Sequence, residues 1–171
     1  NGKTQMKNLL LGIITIFLTL PAFAQKQLPN SDFEEWTSFT PCSGSDSLIG
    51  YSNSSNSFYH KNSYCSTPDL VKTTDSYTGT YAAKLIPGTF ATINYPPILR
   101  AGHTNKGRIP FTNRPSELTG YYQFNNGDKD TLLISMTLTK NGQLIASSTF
   151  KAATTTSGYT QFKMPLNYYN T

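Results

Sequence analysis

Charge is scarce in this chain. Of its 171 residues only 14 are Lys or Arg and 9 are Asp or Glu, and the basic ones are scattered rather than run together. A nucleic-acid footprint needs a basic stripe with interleaved aromatic rings, so that class of partner is set aside. Histidine is scarcer still: His60 and His103 are the two copies, and neither stands in a recognisable Ser-His-Asp context. There is no GxSxG elbow, no phosphate-binding loop and no HExxH pair, which removes the best-marked routes to hydrolase, nucleotide and zinc chemistry. Cysteine is limited to Cys42 and Cys65, and tryptophan to Trp36. A zinc site drawn from Cys42, His60, Cys65 and His103 fails on spacing, because structural zinc uses compact ligand pairs.

Long apolar runs are also missing, with one exception. Lys7 is followed by Leu9–Leu20, all but polar-free, and then by Pro21-Ala22-Phe23-Ala24, which has the small-residue form of an export cleavage site. The run is shorter than the roughly 20 residues a membrane-spanning helix needs. Residues 1–24 therefore read as upstream residues before Met6 plus a signal peptide cut after Ala24, the alternative being a retained N-terminal anchor. The remainder, Gln25–Thr171, has 147 residues, suited to one domain, with 12 basic side chains against 9 acidic. The expected location is outside the cytoplasm: periplasmic, cell-surface or secreted. In such a compartment Cys42 and Cys65 read as a disulfide. It would staple a long polar loop and contribute about 3 kcal/mol by restricting the unfolded chain.

What the chain does have is alternation. Leu132, Ile134, Met136 and Leu138 alternate with Leu133, Ser135, Thr137 and Thr139, Asn141-Gly142 marks a tight hairpin, and Gln143–Phe150 returns. Tyr159–Tyr169 places Phe162, Met164 and Leu166 on one face. Shorter strands are expected at Leu70–Lys72, Thr80–Pro87 and Phe90–Tyr95, with DSYTG as a turn and Pro96-Pro97 as a stop. LPNSDFEEW (Leu28–Trp36) reads as an opening strand with Phe33 toward the core. Trp36 ends it, either as packing or as a platform for a sugar. Thr37–Pro68 reads as a long loop or irregular hairpins. Its rings, Tyr51, Phe58, Tyr59 and Tyr64, with His60, either line a ligand surface or cover the sheet beneath. The fold class is all-β.

The densest stretch is Gly107–Phe124, GRIPFTNRPSELTGYYQF, with two arginines, two prolines and four aromatic rings. Pro110 and Pro115 make its first half a stiff, extended lead-in. From Leu118 the period is two: Leu118, Tyr122 and Phe124 face a core, and Tyr121 and Gln123 face outward. The pattern G-x-x-P-F-x-x-R-P-x-x-L-x-G-Y-Y resembles the signature of the PCMD family, carbohydrate-metabolism domains of exported bacterial proteins. LPNSDFEEW, SYTGTYAAKL (Ser76–Leu85) and FKMPLNYY (Phe162–Tyr169) extend the resemblance over most of the chain.

The resemblance implies an antiparallel jelly-roll β-sandwich, galactose-binding-like, and at least one further strand beyond Thr171. It implies a glycan or polysaccharide partner, with the site near the loop Ile98–Gly107 and the central motif. Arg100, Arg108 and Arg114 are then candidates for hydrogen bonding an acidic or polyhydroxylated ligand, alongside Tyr121, Tyr59 and Trp36. Arg114 has the alternative of stacking internally on an aromatic neighbour. By analogy with such modules, Glu34 and Asp75 are candidate ligands of a structural calcium ion, the alternative being solvated surface acids. Three functions are carried forward: a non-catalytic carbohydrate-binding domain, monomeric when complete; a structural or adhesive module meeting other surface proteins; and a glycan hydrolase. The last would need two flanking carboxylates, drawn from Glu34, Glu35, Glu117 and Asp128.

Overall fold

The computed structural model describes residues 28–38, 46–53, 69–90, 93–102, 108–127 and 129–169. Among these residues the strands are β1 (Trp36–Ser38), β2 (Asp46–Leu48), β3 (Tyr51–Asn53), β4 (Leu70–Thr73), β5 (Ala82–Leu85), β6 (Gly88–Phe90) and β7 (Ile93–Tyr95). They continue with β8 (Leu99–Ala101), β9 (Glu117–Tyr122), β10 (Leu132–Lys140), β11 (Gln143–Ala152), β12 (Thr160–Pro165) and β13 (Asn167–Tyr168). Every pairing is antiparallel and no helix occurs among the described residues. The fold is all-β, consistent with a β-sandwich.

The hairpin β10–β11 forms where the alternation is longest. Asn141 and Gly142 adopt φ of 51° and 82°, the two left-handed positions that a two-residue turn of this hand requires. Leu138 pairs with Ala146 but Thr139 pairs with Leu144, so Ile145 is an extra residue on β11. Its carbonyl accepts the Tyr169 N–H at 2.9 Å instead. β9 pairs with β12 from Thr160↔Tyr122 to Pro165↔Glu117. The Leu166 N–H still bonds the Ser116 carbonyl at 2.8 Å, and then β13 joins β11 through Ala146↔Tyr168 and Ser147↔Asn167. The expected single strand Tyr159–Tyr169 is thus two strands that change sheet at Leu166, while Phe162, Met164 and Leu166 are buried as the alternation requires.

These layers meet through rings. Phe162 of β12 lies 5.6 Å from Phe150 of β11, and Tyr122 of β9 meets Phe150 edge-on at 5.4 Å. Aromatic pairs of this kind contribute about 0.5–1.5 kcal/mol each beyond the area they bury. Gly120 sits opposite Phe162, and a Cβ there would lie 2.6 Å from the ring. The glycine lets the ring fold across its neighbour strand.

In the first half of the chain, short ribbons pair as β1–β2, β3–β8, β4–β5 and β6–β7. Leu48 and Leu70 are buried here, and an ion pair of 3.0 Å between Lys72 Nζ and Asp46 Oδ2 ties β4 to β2. Three expectations are corrected. Leu28–Glu35 is turn rather than strand, so Trp36 begins β1 instead of ending a strand. The Asn30 side chain donates to the carbonyls of Glu35 (2.9 Å) and Ile49 (2.8 Å) and accepts the Glu35 N–H (3.0 Å), so the β1–β2 ladder ends at Glu35, whose carbonyl still accepts the Ile49 N–H at 3.0 Å. Phe90–Tyr95, expected as one strand, holds the last residue of β6 and the whole of β7, which pair antiparallel. Leu99–Ala101, expected in a loop, is β8, which pairs with β3. A proline pair ends β7 but leaves the chain extended, and extended chain beside a free strand edge pairs.

Candidate functional site

The outer face of β9 follows the alternation: Thr119, Tyr121 and Gln123 are exposed, while Leu118, Tyr122 and Phe124 turn inward. Tyr121 is 42% exposed, and its ring lies face to face with that of Tyr77, 49% exposed, at 3.6 Å between centroids and 14° between planes. Tyr77 comes from the loop joining β4 to β5. Two further side chains fasten that loop over the sheet. The Tyr159 hydroxyl donates to the Asp75 carbonyl at 2.6 Å, with its ring 5.9 Å from Tyr77, and Gln123 Nε2 donates to Asp75 Oδ1 at 3.3 Å. On β12, Gln161 stands opposite Tyr121 and Lys163 opposite Thr119. Residues directly opposite share a face, so both exposed side chains border the tyrosine pair.

The other side of the loop is held by Glu34. Its Oε1 accepts the N–H of Thr80 at 2.6 Å and of Tyr81 at 3.0 Å, and Gly79, at φ 75°, brings the backbone so close that a Cβ there would collide with the carboxylate. Within the loop the Thr73 hydroxyl accepts the Asp75 N–H at 3.2 Å, and Ser76 Oγ donates to the Gly79 carbonyl at 3.2 Å. A polar turn that would otherwise be mobile is pinned from two directions. The rings are therefore placed before any ligand arrives.

Protonation follows the contacts. Hydrogen bonding with the Tyr121 side chain, then charge on Tyr121, then slight desolvation raise the Tyr77 phenol above its ordinary value of 10.0. Burial and then the Asp75 carboxylate raise Tyr159 above 10.0 as well. Both phenols are neutral donors at physiological pH. The Tyr159 proton is already given to the Asp75 carbonyl, so the cluster offers ring faces, the hydroxyl pair of Tyr77 and Tyr121, an amide and a carboxylate acceptor, the set that stacks on the apolar face of a polyhydroxylated ring and bonds its edge.

Of the residues expected at a site, the structure gathers Tyr121 and Asp75 into this cluster and sets Glu34 behind the loop that carries Asp75. The arginines lie elsewhere. Arg114, in the lead-in to β9, has its guanidinium 4.0 Å over the Tyr168 ring, and Tyr168 bonds the Pro115 carbonyl at 2.8 Å. That is internal stacking, at the end of β9 away from Tyr121. Arg100 is exposed on β8 across from Ser52, and Arg108 is exposed in the lead-in. Trp36 is half-buried, and its Nε1–H donates to the Phe33 carbonyl at 2.6 Å. Tyr59, Cys42, Cys65, Phe58, His60, Tyr64 and His103 lie outside the described residues, as does the segment 1–24. Among the described residues no three His, Cys, Asp or Glu side chains gather as metal ligands. Sequence reasoning missed Tyr77 and Tyr159. An aromatic in the middle of a polar turn, as in DSYTG, is the signal that pointed to the first; nothing local marks the second.

No known protein family, curated protein or solved structure matches this chain.

Proposed function

We propose that this chain is an exported, non-catalytic carbohydrate-binding domain, a PCMD-like jelly-roll sandwich, and that its ligand lies on the Tyr77–Tyr121 surface. One observation carries the reading: two exposed tyrosines are stacked and clamped on the outside of a sheet, beside the carboxylate of Asp75 and the amide of Gln123. Large rings left in water by a chain that buries others need a reason, and a sugar face supplies one. The chemistry narrows the ligand class. The Asp75 carboxylate offsets the one bordering cation, Lys163, and with no arginine fork in the cluster this favours a neutral glycan, whose hydroxyls donate to Asp75, over the acidic ligand that Arg100, Arg108 and Arg114 would select. Calcium at Glu34 and Asp75 is a separate proposal, since Glu34 Oε1 already accepts two backbone N–H groups.

The test is a glycan array followed by calorimetry. Saturable binding to neutral glycans is expected, with Tyr121→Ala and Tyr77→Ala each weakening it about tenfold or more, the effect of truncating an aromatic anchor. Arg114→Ala should leave it within about twofold, because that guanidinium is engaged by Tyr168. Tyrosine variants that fold and bind as the parent does would overturn the reading.

A further inference from the structure

Among the described residues β10 is an edge strand: the sheet runs β10, β11, β13, so β10 has β11 on one side and no described strand on the other. Its nine residues, LLISMTLTK, hold neither a proline nor an internal charge, and the bulge of this hairpin belongs to β11. Natural edges are usually blunted by one of these devices. The core layer is also incomplete on this side. Leu132, Ile134, Met136 and Leu138 face inward yet stay half-buried, whereas Ala146 and Ala152 of the next strand are buried. On the outer face Leu133 is 57% exposed.

We propose that β10 pairs with β10 of a second copy of this chain, antiparallel about a two-fold axis through Ser135. Backbone direction permits it. In a two-residue hairpin the flanking residues, Lys140 and Gln143, turn their backbone groups toward each other, and alternation along β10 then points those of Thr139, Thr137, Ser135 and Leu133 away from β11. With Ser135 opposite itself, these outward groups meet their counterparts. Leu132 falls opposite Leu138 and Ile134 opposite Met136, continuing the inner layer across the axis. Asp130, two residues before β10, falls opposite Lys140, so an exposed ion pair closes each end. The two neighbouring registers that also set outward groups opposite one another, about Ile134 and about Met136, break the apolar layer: the first sets Asp130 against Leu138 and the second sets Lys140 against Leu132. The apolar match and the Asp130–Lys140 pair together select the register, and their self-complementarity selects a second copy as the occupant.

Such a dimer departs from the monomer expected from sequence and forms independently of glycan binding. Pairing about an axis normal to the sheet keeps corresponding faces on one side. If the glycan reading holds, the dimer presents two Tyr77–Tyr121 surfaces in the same direction.

Sedimentation across a concentration series tests the pairing. A concentration-dependent dimer is expected. Ser135→Pro should make it monomeric with the fold retained, since that N–H faces away from β11 and proline is tolerated on an outward edge. Lys140→Asp should weaken the dimer about tenfold by opposing like charges at both ends, and adding Asp130→Lys should restore it. A parent that is monomeric at every concentration overturns the proposal, and so does a dimer that the charge variants leave unchanged. Should Ser135→Pro fail to fold, the charge exchange decides alone.

Discussion

Removing Glu34 separates two roles that one carboxylate cannot easily fill at once. Its Oε1 accepts the N–H of Thr80 at 2.6 Å and of Tyr81 at 3.0 Å, pinning the start of β5 and the loop that carries Tyr77. Hydrogen bonds to a charged group are worth about 1.5–3 kcal/mol each in a protein interior. Here the Thr80 bond is exposed and water can replace the lost acceptor, so Glu34→Ala should cost about 2 kcal/mol in total. For a domain of this size that is a fall in Tm of about 4–8 °C. Glu34→Gln keeps an oxygen in place without its charge and should lose about half as much. Thermal melts followed by circular dichroism, with calcium and with a chelator, provide the assay. The fall should be the same in both, and glycan affinity should drop because Tyr77 loses its support. A parent whose Tm rises with calcium, and a Glu34→Ala variant whose Tm does not, would make Glu34 an ion ligand and refute the anchoring argument.

Two further expectations rest on the interior and on the phenols. Gly120→Ala puts a methyl group 2.6 Å from the Phe162 ring and should cost about 1–3 kcal/mol in urea unfolding, with Phe162→Leu in the same chain recovering part of it. Tyr51 and Tyr159 are raised above 10.0 chiefly by burial, with Asp32 and Asp75 adding to the effect. A raised phenol keeps its proton in the folded state after the unfolded state has lost it. The stability this contributes is therefore complete below pH 10 and declines as pH climbs through the folded values. A phenolate absorbance titration should show these tyrosines ionising late and together with unfolding, and early, independent ionisation would contradict their burial.

The strands of the second half were legible because each of their faces is one-sided. Period-two runs such as Leu132–Leu138 and Phe162–Leu166 can bury only one set of side chains, and Asn141-Gly142 can adopt few other turns. The outward position of Tyr121 followed from the same count. The first half misled where a side chain competed with the ladder: Asn30 takes the Glu35 N–H and bonds the Ile49 carbonyl, so the ladder stops there and Leu28–Glu35 is turn. The arginines misled for a different reason. Their chemistry suits a ligand, but Arg114 had Tyr168 within reach, 54 positions away in the chain.

The sequence by itself determined that the described residues are all-β, which residues of the long strands point inward, and that the few charges form no basic stripe. These are local properties, fixed by alternation and turn chemistry. The tertiary structure decided which strands become neighbours, that the last run changes sheet at Leu166, and that Tyr77, Tyr121, Tyr159, Asp75 and Gln123 share one surface. Those residues lie up to 84 positions apart, and no local preference encodes a meeting that depends on where the β4–β5 loop comes to rest over β9. Glu34 holds that loop from behind and Tyr159 holds it from the sheet.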